Sequence, residues 1–334
     1  MTGIKHITWH VPEREVTNND LLKAFPSLKI KELTRLTGVE KRHVAAKNET
    51  SADLAFHAAQ KLFSVHDVDK ETIDFIIFCT TGGDYITPAS ACVLQHRLGL
   101  PERCGAFDFN QGCTGYLYGL SLADSLIKAG NASRILLLTA ETVHRVIHPQ
   151  DANTLSLFGD GASATLVEKS SENHIGRFFF GTDGSGYDQI IVKHGRERFP
   201  LPESAEPDFL DAFGNVKNHA KLYMNGSTVF NFSLEKAPVL LNLILKDTGL
   251  DIGDIDYFVF HQANRIVLET LGKKLRIPPE KVIIELQDVG NTVSSSIPIT
   301  LKKAMDKGVI RRGNRVLLAG FGVGLSWGGT MLTI

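Results

Sequence analysis

Three side chains in this 334-residue chain are of the types that covalent acyl chemistry needs. Cys113 stands in "DFNQGCTGYLYGL", between Gly112 and Gly115, where a strand-like run turns into an apolar helical pattern. His261 closes the apolar run of "FVFHQANRI", and Asn291 follows a glycine in "DVGNTVSSS". A helix beginning near Thr114 would aim its unbonded N–H groups at the sulfur, and with the helix dipole these favour a thiolate. Gly112 and Gly115 permit a tight turn and leave space above the sulfur. Each signal alone is weak. An intracellular cysteine is mostly a small buried hydrophobe, most of the twelve histidines are ordinary, and Gly-Asn-Thr reads as a turn. Together, a thiol, an imidazole and a carboxamide at three strand ends form a candidate catalytic constellation.

The chemistry that suits this set is acyl transfer between thioesters. A Cys113 thiolate attacks an acyl thioester and holds the acyl group covalently. His261 and Asn291 then donate hydrogen bonds to the carbonyl of a malonyl-type thioester, where negative charge collects as carbon dioxide leaves. The resulting carbanion attacks the acyl-cysteine, a step that needs an oxyanion hole. The backbone N–H of Cys113 is one candidate donor. The other is Val323, which Gly322 and Gly324 flank in "AGFGVGLSWGG"; a glycine run near a C-terminus also reads as a plain turn.

The elements that must position these groups recur along the chain. "IDFIIFCTT" at Ile73 and "IDYFVFHQA" at Ile255 lie 182 residues apart, and Arg134 of "SRILLLTAE" and Arg315 of "NRVLLAGFG" lie 181 apart. Cys113 and Asn291 lie 178 apart, and "GDGASATLVE" and "WGGTMLTI" close the two series. Three near-equal offsets in one order predict two copies of an α/β unit, residues 1–172 and 173–334. The short runs with almost no polar residues suit strands covered on both faces, with helices on either side of a sheet. Equivalent strand ends would then face one crevice. The competing reading is a single doubly wound domain with accidental similarity. Residues 185–230 are polar and rich in glycine and proline, which predicts an insertion or long functional loop, not core.

Composition narrows the classes. Hydrophobic residues at 43% and charged residues at 22% are ordinary for a globular protein, and a net charge of −1 without basic blocks argues against nucleic acid as the main partner. The four cysteines include no C-x-x-C pair and no cluster with zinc spacing, so no metal is expected. The N-terminus lacks the apolar core of a signal peptide, and no run approaches the roughly 18 apolar residues of a membrane span. A reducing, cytoplasmic setting is expected.

"DFNQGCTGYLYGL", "FHQANRI", "GNTVSSSIP", "FGDGASATLVE" and "GFGVGLSWGG" together resemble the β-ketoacyl-acyl carrier protein synthase III family. The resemblance covers nearly the whole chain, with the motifs in the family's order. It implies the thiolase-like fold, two duplicated α/β halves in a five-layered αβαβα arrangement, and a homodimer. It implies Cys113, His261 and Asn291 as the catalytic triad, with acyl transfer to cysteine followed by decarboxylative condensation with malonyl-acyl carrier protein. The acyl primer arrives on coenzyme A or acyl carrier protein, and no cofactor is implied beyond the phosphopantetheine that substrates carry.

Some positions depart from the common pattern. Where common members hold the coenzyme A adenine with a tryptophan and an arginine, this chain has Glu32 and Leu36. Where a phenylalanine usually reaches across the dimer to close the acyl pocket, it has Thr87, which predicts a primer longer or bulkier than acetyl unless Tyr85 or Ile86 refills the space. The carrier-docking signature is one residue short and reads Gln262, Ala263, Asn264, Arg265. Arg265 could meet an acidic carrier helix, and Lys273, Lys274 and Arg276 could share that task or form a solvated helix face. The alternative of the same fold is an acyltransferase of specialised metabolism that passes the acyl group to an alcohol or amine. A degradative thiolase would be expected to use a second cysteine near the C-terminus, and none follows Cys113. A cysteine thioester hydrolase and a non-catalytic partner subunit complete the rivals.

Overall fold

The computed structural model describes residues 1–172, 174–211 and 214–334. Asn173, where the second half was expected to begin, lies outside the described residues. Two sheets carry the molecule. The first orders its strands Thr2–His10, Gly161–Lys169, Arg134–Glu141, Phe75–Cys79, Gly105–Phe109. The second orders Phe179–Thr182, Ser326–Thr333, Arg315–Gly322, Tyr257–Phe260. In each, one strand (Gly161–Lys169 or Ser326–Thr333) runs antiparallel to both its neighbours, and the strands beyond are parallel. The repeated sequence runs are therefore matching strands of two similarly wound sheets, with Phe75–Cys79 flanked on both sides in the first and Tyr257–Phe260 at the edge of the second.

Alternation along those strands explains their lack of polar residues. Ile76 and Phe78 face the outer helices Ser51–His66 and Ser90–Leu98, while Ile77 faces the inner layer. In the second sheet Phe258 and Phe260 face outward onto the helices Gly226–Thr248 and Arg265–Lys274, and Val259 faces inward. Burying each such side chain is worth roughly 1.5–3 kcal/mol, so neither face tolerates a charge. The inner layer is the pair of helices Gly115–Lys128 and Ser296–Asp306. Tyr116, Leu117 and Leu120 of one, and Ile297 and Leu301 of the other, share one core cluster with both sheets. The order is thus helix, sheet, helix, sheet, helix, the five layers expected.

The helix Gly226–Thr248 is long and apolar enough to cross a membrane by length and composition alone. Its Ala237, Leu240, Leu241 and Ile244 pack on the second sheet. Among the described residues, the segment 185–230 forms two short ladders, Ile190–Ile191 with Tyr223–Met224 and Phe209–Leu210 with Val216–Lys217, and its last residues open the helix Gly226–Thr248. It is nevertheless anchored inward: Lys217 and Asp151 form a buried ion pair, and Leu222 N–H donates to the Val146 carbonyl.

Candidate active site

Cys113 sits where the strand Gly105–Phe109 passes into the helix Gly115–Lys128, with Thr114 as the cap residue. The turn is pinned from below. Gln111 Nε2 donates to the Thr114 and Ser326 hydroxyls at 2.8 and 3.0 Å, and those hydroxyls lie 2.9 Å apart. Gly115 allows the helix to descend onto Cys79, and Gly322 allows the last strands to approach the Cys113 sulfur; a methyl group at either position would collide with the thiol beneath it. Through that approach the backbone N–H of Val323, and that of Cys113 itself, face the sulfur.

The thiol does not behave as the helix terminus alone predicts. Burial pushes it up to about 11, the nearby Glu141 carboxylate adds to the rise, and the Val323 and Cys113 N–H groups oppose it only in part. Cys113 keeps some accessible surface, yet its sulfur is ringed by protein. The sulfur's own shell, not the residual surface of the residue, sets the cost of charging it. Desolvation outweighs the helix terminus when no cation stands by.

His261 is 4% exposed and follows the strand Tyr257–Phe260. Burial lowers its imidazolium pKa to about 4, with the Val293 carbonyl pulling the other way, so the ring is neutral at pH 7. Its Nδ1 lies 2.7 Å from the Ser296 hydroxyl, which also accepts from the Gln262 backbone N–H at 3.3 Å. When the serine hydroxyl proton turns toward Nδ1, the ring proton stands on Nε2. Asn291 is equally buried. Its Oδ1 accepts from Val293 N–H at 2.9 Å, which turns Nδ2 away; that amine lies 3.5 Å from the Ala263 carbonyl.

Val293 links all three groups. Its N–H orients Asn291, its carbonyl meets His261, and its side chain belongs to the apolar cluster against which Cys113 packs. Its φ of +50° is a left-handed conformation that a β-branched residue rarely adopts. The same cluster contains Ile147 and Phe158 and is flanked by Leu155, Leu157, Leu222 and Met224. This apolar wall was not foreseen, because Leu222 and Met224 come from the segment read as non-core.

The other expected site residues scatter. Thr87 is exposed and stands outside that cluster. Gln262 is 1% exposed, and its amide is spent on the backbone of Phe260, Ile283 and Glu285, so it cannot greet a carrier; this corrects the expectation. Asn264 caps the helix Arg265–Lys274 through Val267 N–H at 2.9 Å. Arg265 lines an open cleft of about 690 Å³ with Lys31, Arg35 and Lys41. Lys41 pairs with Glu15, while among the described residues Lys31, Arg35 and Arg265 make no ion pair. Glu32 is exposed and Leu36 half-buried on the helix Ile30–Thr37.

Residues 107–184 match the family described as 3-oxoacyl-[acyl-carrier-protein (ACP)] synthase III, and residues 245–334 match its C-terminal part. The β-ketoacyl-[acyl-carrier-protein] synthase III of Fusobacterium nucleatum is 36% identical over 99% of this chain and 98% of its own. A crystal structure of a 3-oxoacyl-(acyl-carrier-protein) synthase III superposes with a TM-score of 0.97 at 44% identity, covering 100% of this chain and 99% of that one. The Burkholderia xenovorans 3-oxoacyl-(acyl-carrier protein) synthase gives 0.91 at 33% identity, covering 100% and 94%. With its thiolase-like layers and the cysteine, histidine and asparagine brought around Val293, the chain belongs to the 3-oxoacyl-[acyl-carrier-protein] synthase III family.

Proposed function

We propose that the chain joins an acyl group, loaded on Cys113 from an acyl thioester, to the two-carbon unit of malonyl-acyl carrier protein and releases a β-ketoacyl thioester. Membership of the family supports a condensing reaction; the assignment of residues rests on one observation, that Val293 holds Asn291 and meets His261 beside the Cys113 thiol. In the first half-reaction the Cys113 thiol gives up its proton. Its thiolate attacks the thioester carbonyl and expels the carrier as a thiolate, which takes up the released proton. The Cys113 and Val323 N–H groups stabilise the negative oxygen that forms. In the second, His261 Nε2–H and Asn291 Nδ2–H donate to the malonyl thioester oxygen while carbon dioxide departs. The enolate carbon attacks the acyl-cysteine, and collapse of the tetrahedral adduct returns the thiolate. A neutral histidine suits this role, since it donates without adding a buried charge.

The finer assignments are part of the same reading. The halves are residues 1–172 and 173–334. The protein is a cytoplasmic homodimer in which Thr87, standing where a phenylalanine would close the acyl pocket of the other copy, leaves that pocket open to a primer longer or bulkier than acetyl. No cofactor takes part other than the substrates' phosphopantetheine. The carrier is met by Arg265, with Asn264 as its helix cap and with Lys31 and Arg35 across the cleft. Nothing in the site or the comparisons favours transfer to an alcohol or amine.

Intact mass after exposure to acyl-coenzyme A and acyl-carrier donors of two to twelve carbons tests the reading. One acyl mass on the wild type, none on Cys113→Ala, and clearance by malonyl-acyl carrier protein with a ketoacyl product are expected. An acyl mass that malonyl carrier leaves in place would overturn condensation.

A further inference from the structure

Glu141 ends the strand Arg134–Glu141 and is 1% exposed, yet the reaction above does not use it. Its carboxylate accepts from the Thr81 N–H at 3.2 Å, the Thr81 hydroxyl at 2.5 Å and the Ser294 hydroxyl at 2.9 Å. Thr81 opens the exposed loop that leads to Thr87. Ser294 lies in the turn between Asn291, which points a donor, and Ser296, whose hydroxyl meets His261 Nδ1. One carboxyl group therefore ties the nucleophile's sheet to the turn that carries the donors. Among the described residues it makes no ion pair. The titratable groups it acts on or feels are Cys79, Cys113 and Asp160, and Asp160 is itself held by the Ala45 N–H at 2.8 Å and lies 3.2 Å from His144.

We propose that Glu141 is a positioning residue that fastens the Asn291–Ser296 turn to the Thr81 loop, and that its charge state sets how readily Cys113 ionises. The inference rests on Cys113 being the reactive thiol. A carboxylate with no balancing cation raises the cost of a second anion in the same dry pocket. Burial lifts Glu141 to about 7, so its charge changes across neutrality, and the thiol becomes harder to ionise as pH rises through that point. When Glu141 is protonated the opposition disappears, and the Thr81 and Ser294 hydroxyls can turn to accept from it.

The experiment is the rate of iodoacetamide alkylation at Cys113 from pH 5.5 to 9, read by peptide mass so that exposed Cys92 does not interfere. Wild type should show a rise of one decade per pH unit, interrupted by a shallower step near pH 7. Glu141→Gln should remove the step and alkylate several-fold faster than wild type at pH 8. Ser294→Ala, which withdraws one donor from the carboxylate, should move the step to higher pH. A step retained in a folded Glu141→Gln, or the same or a slower rate at pH 8, overturns the proposal. If Glu141→Gln does not fold, an unshifted step in Ser294→Ala does so instead. Alkylation needs no acyl donor, so a failure to acylate would sink the proposed reaction and leave this result standing.

Discussion

The two halves reach Val293 by different local means. In the first, a regular fifth strand, Gly105–Phe109, runs parallel to Phe75–Cys79 in register and delivers Cys113 to the foot of a 14-residue helix. In the second, the corresponding place is marked by one parallel bridge, Phe258 to Val282. The chain beyond it reaches Asn291 irregularly, through Gly290 at φ +69°, and then a single helical turn, Val293–Ser295, opened by a strained valine. A nucleophile needs its sulfur fixed against a helix terminus, which regular structure supplies. An amide donor must instead be turned so that one face is consumed and the other is left free. That takes a hydrogen bond from a neighbouring backbone group in an unusual conformation, which a regular strand does not offer.

The division predicts that the two half-reactions separate. His261→Ala and Asn291→Ala should each lower condensation by about 10²–10³-fold, the usual worth of one donor to a developing oxyanion. Loading of Cys113, followed as acyl mass, should persist in both. Loss of loading in either variant would show that the second half also drives the first step.

A smaller effect compares the glycines that precede the two key residues. An alanine Cβ at Gly290 would sit 2.9 Å from the Leu157 carbonyl oxygen at a φ of +69°, against fixed backbone. At Gly112 it would sit 2.9 Å from Val323 Cγ2, a side-chain methyl that can move, and no left-handed φ is involved. Gly290→Ala should therefore cost about 2–3 kcal/mol in urea unfolding and Gly112→Ala about 1 kcal/mol. Equal losses would mean that the irregular approach to Asn291 is no more constrained than the regular one.

The same contrast explains what was legible in the sequence. Cys113, the repeated strand runs and the duplicated α/β halves follow from local pattern (glycine spacing, short apolar runs and their recurrence), whereas the thiolase-like five-layered order was implied by the family resemblance. Ser296 was missed as the partner of His261 because 35 residues separate them and a serine in "VSSSIP" carries no sign of which oxygen turns inward. Leu222 and Met224 were missed because two apolar residues within a polar stretch give no period to detect. Gln262 was misread because a motif position says nothing about burial; only the three-dimensional course of Ile283 and Glu285 shows where its amide is spent. The high thiol pKa was also out of reach, since helix polarity is local and desolvation depends on everything packed around the site.

The smallest effect lies in the pH dependence of stability, where the two halves should oppose each other. His261 titrates near 4 when folded and near its ordinary 6.5 when unfolded. Between those values the unfolded chain binds more protons, so this group's contribution is present above pH 6.5 and is lost as pH falls toward 4. Glu141 runs the other way: its folded value is raised from 4.5 to about 7, so its contribution is present below pH 4.5 and is lost as pH rises through 7. In wild type the two largely offset between pH 5.5 and 6.5. His10, also lowered to about 4 by burial, stays in every variant and cancels in differences. His261→Asn should therefore lose the histidine's slope. Between pH 6.5 and 5.5 its unfolding free energy should rise relative to wild type by about 1 kcal/mol. Glu141→Gln should shift it by a similar amount in the opposite direction. Parallel stability curves for wild type and both variants would mean that neither buried group changes its proton affinity on folding, and the electrostatic asymmetry between the halves would fall with them.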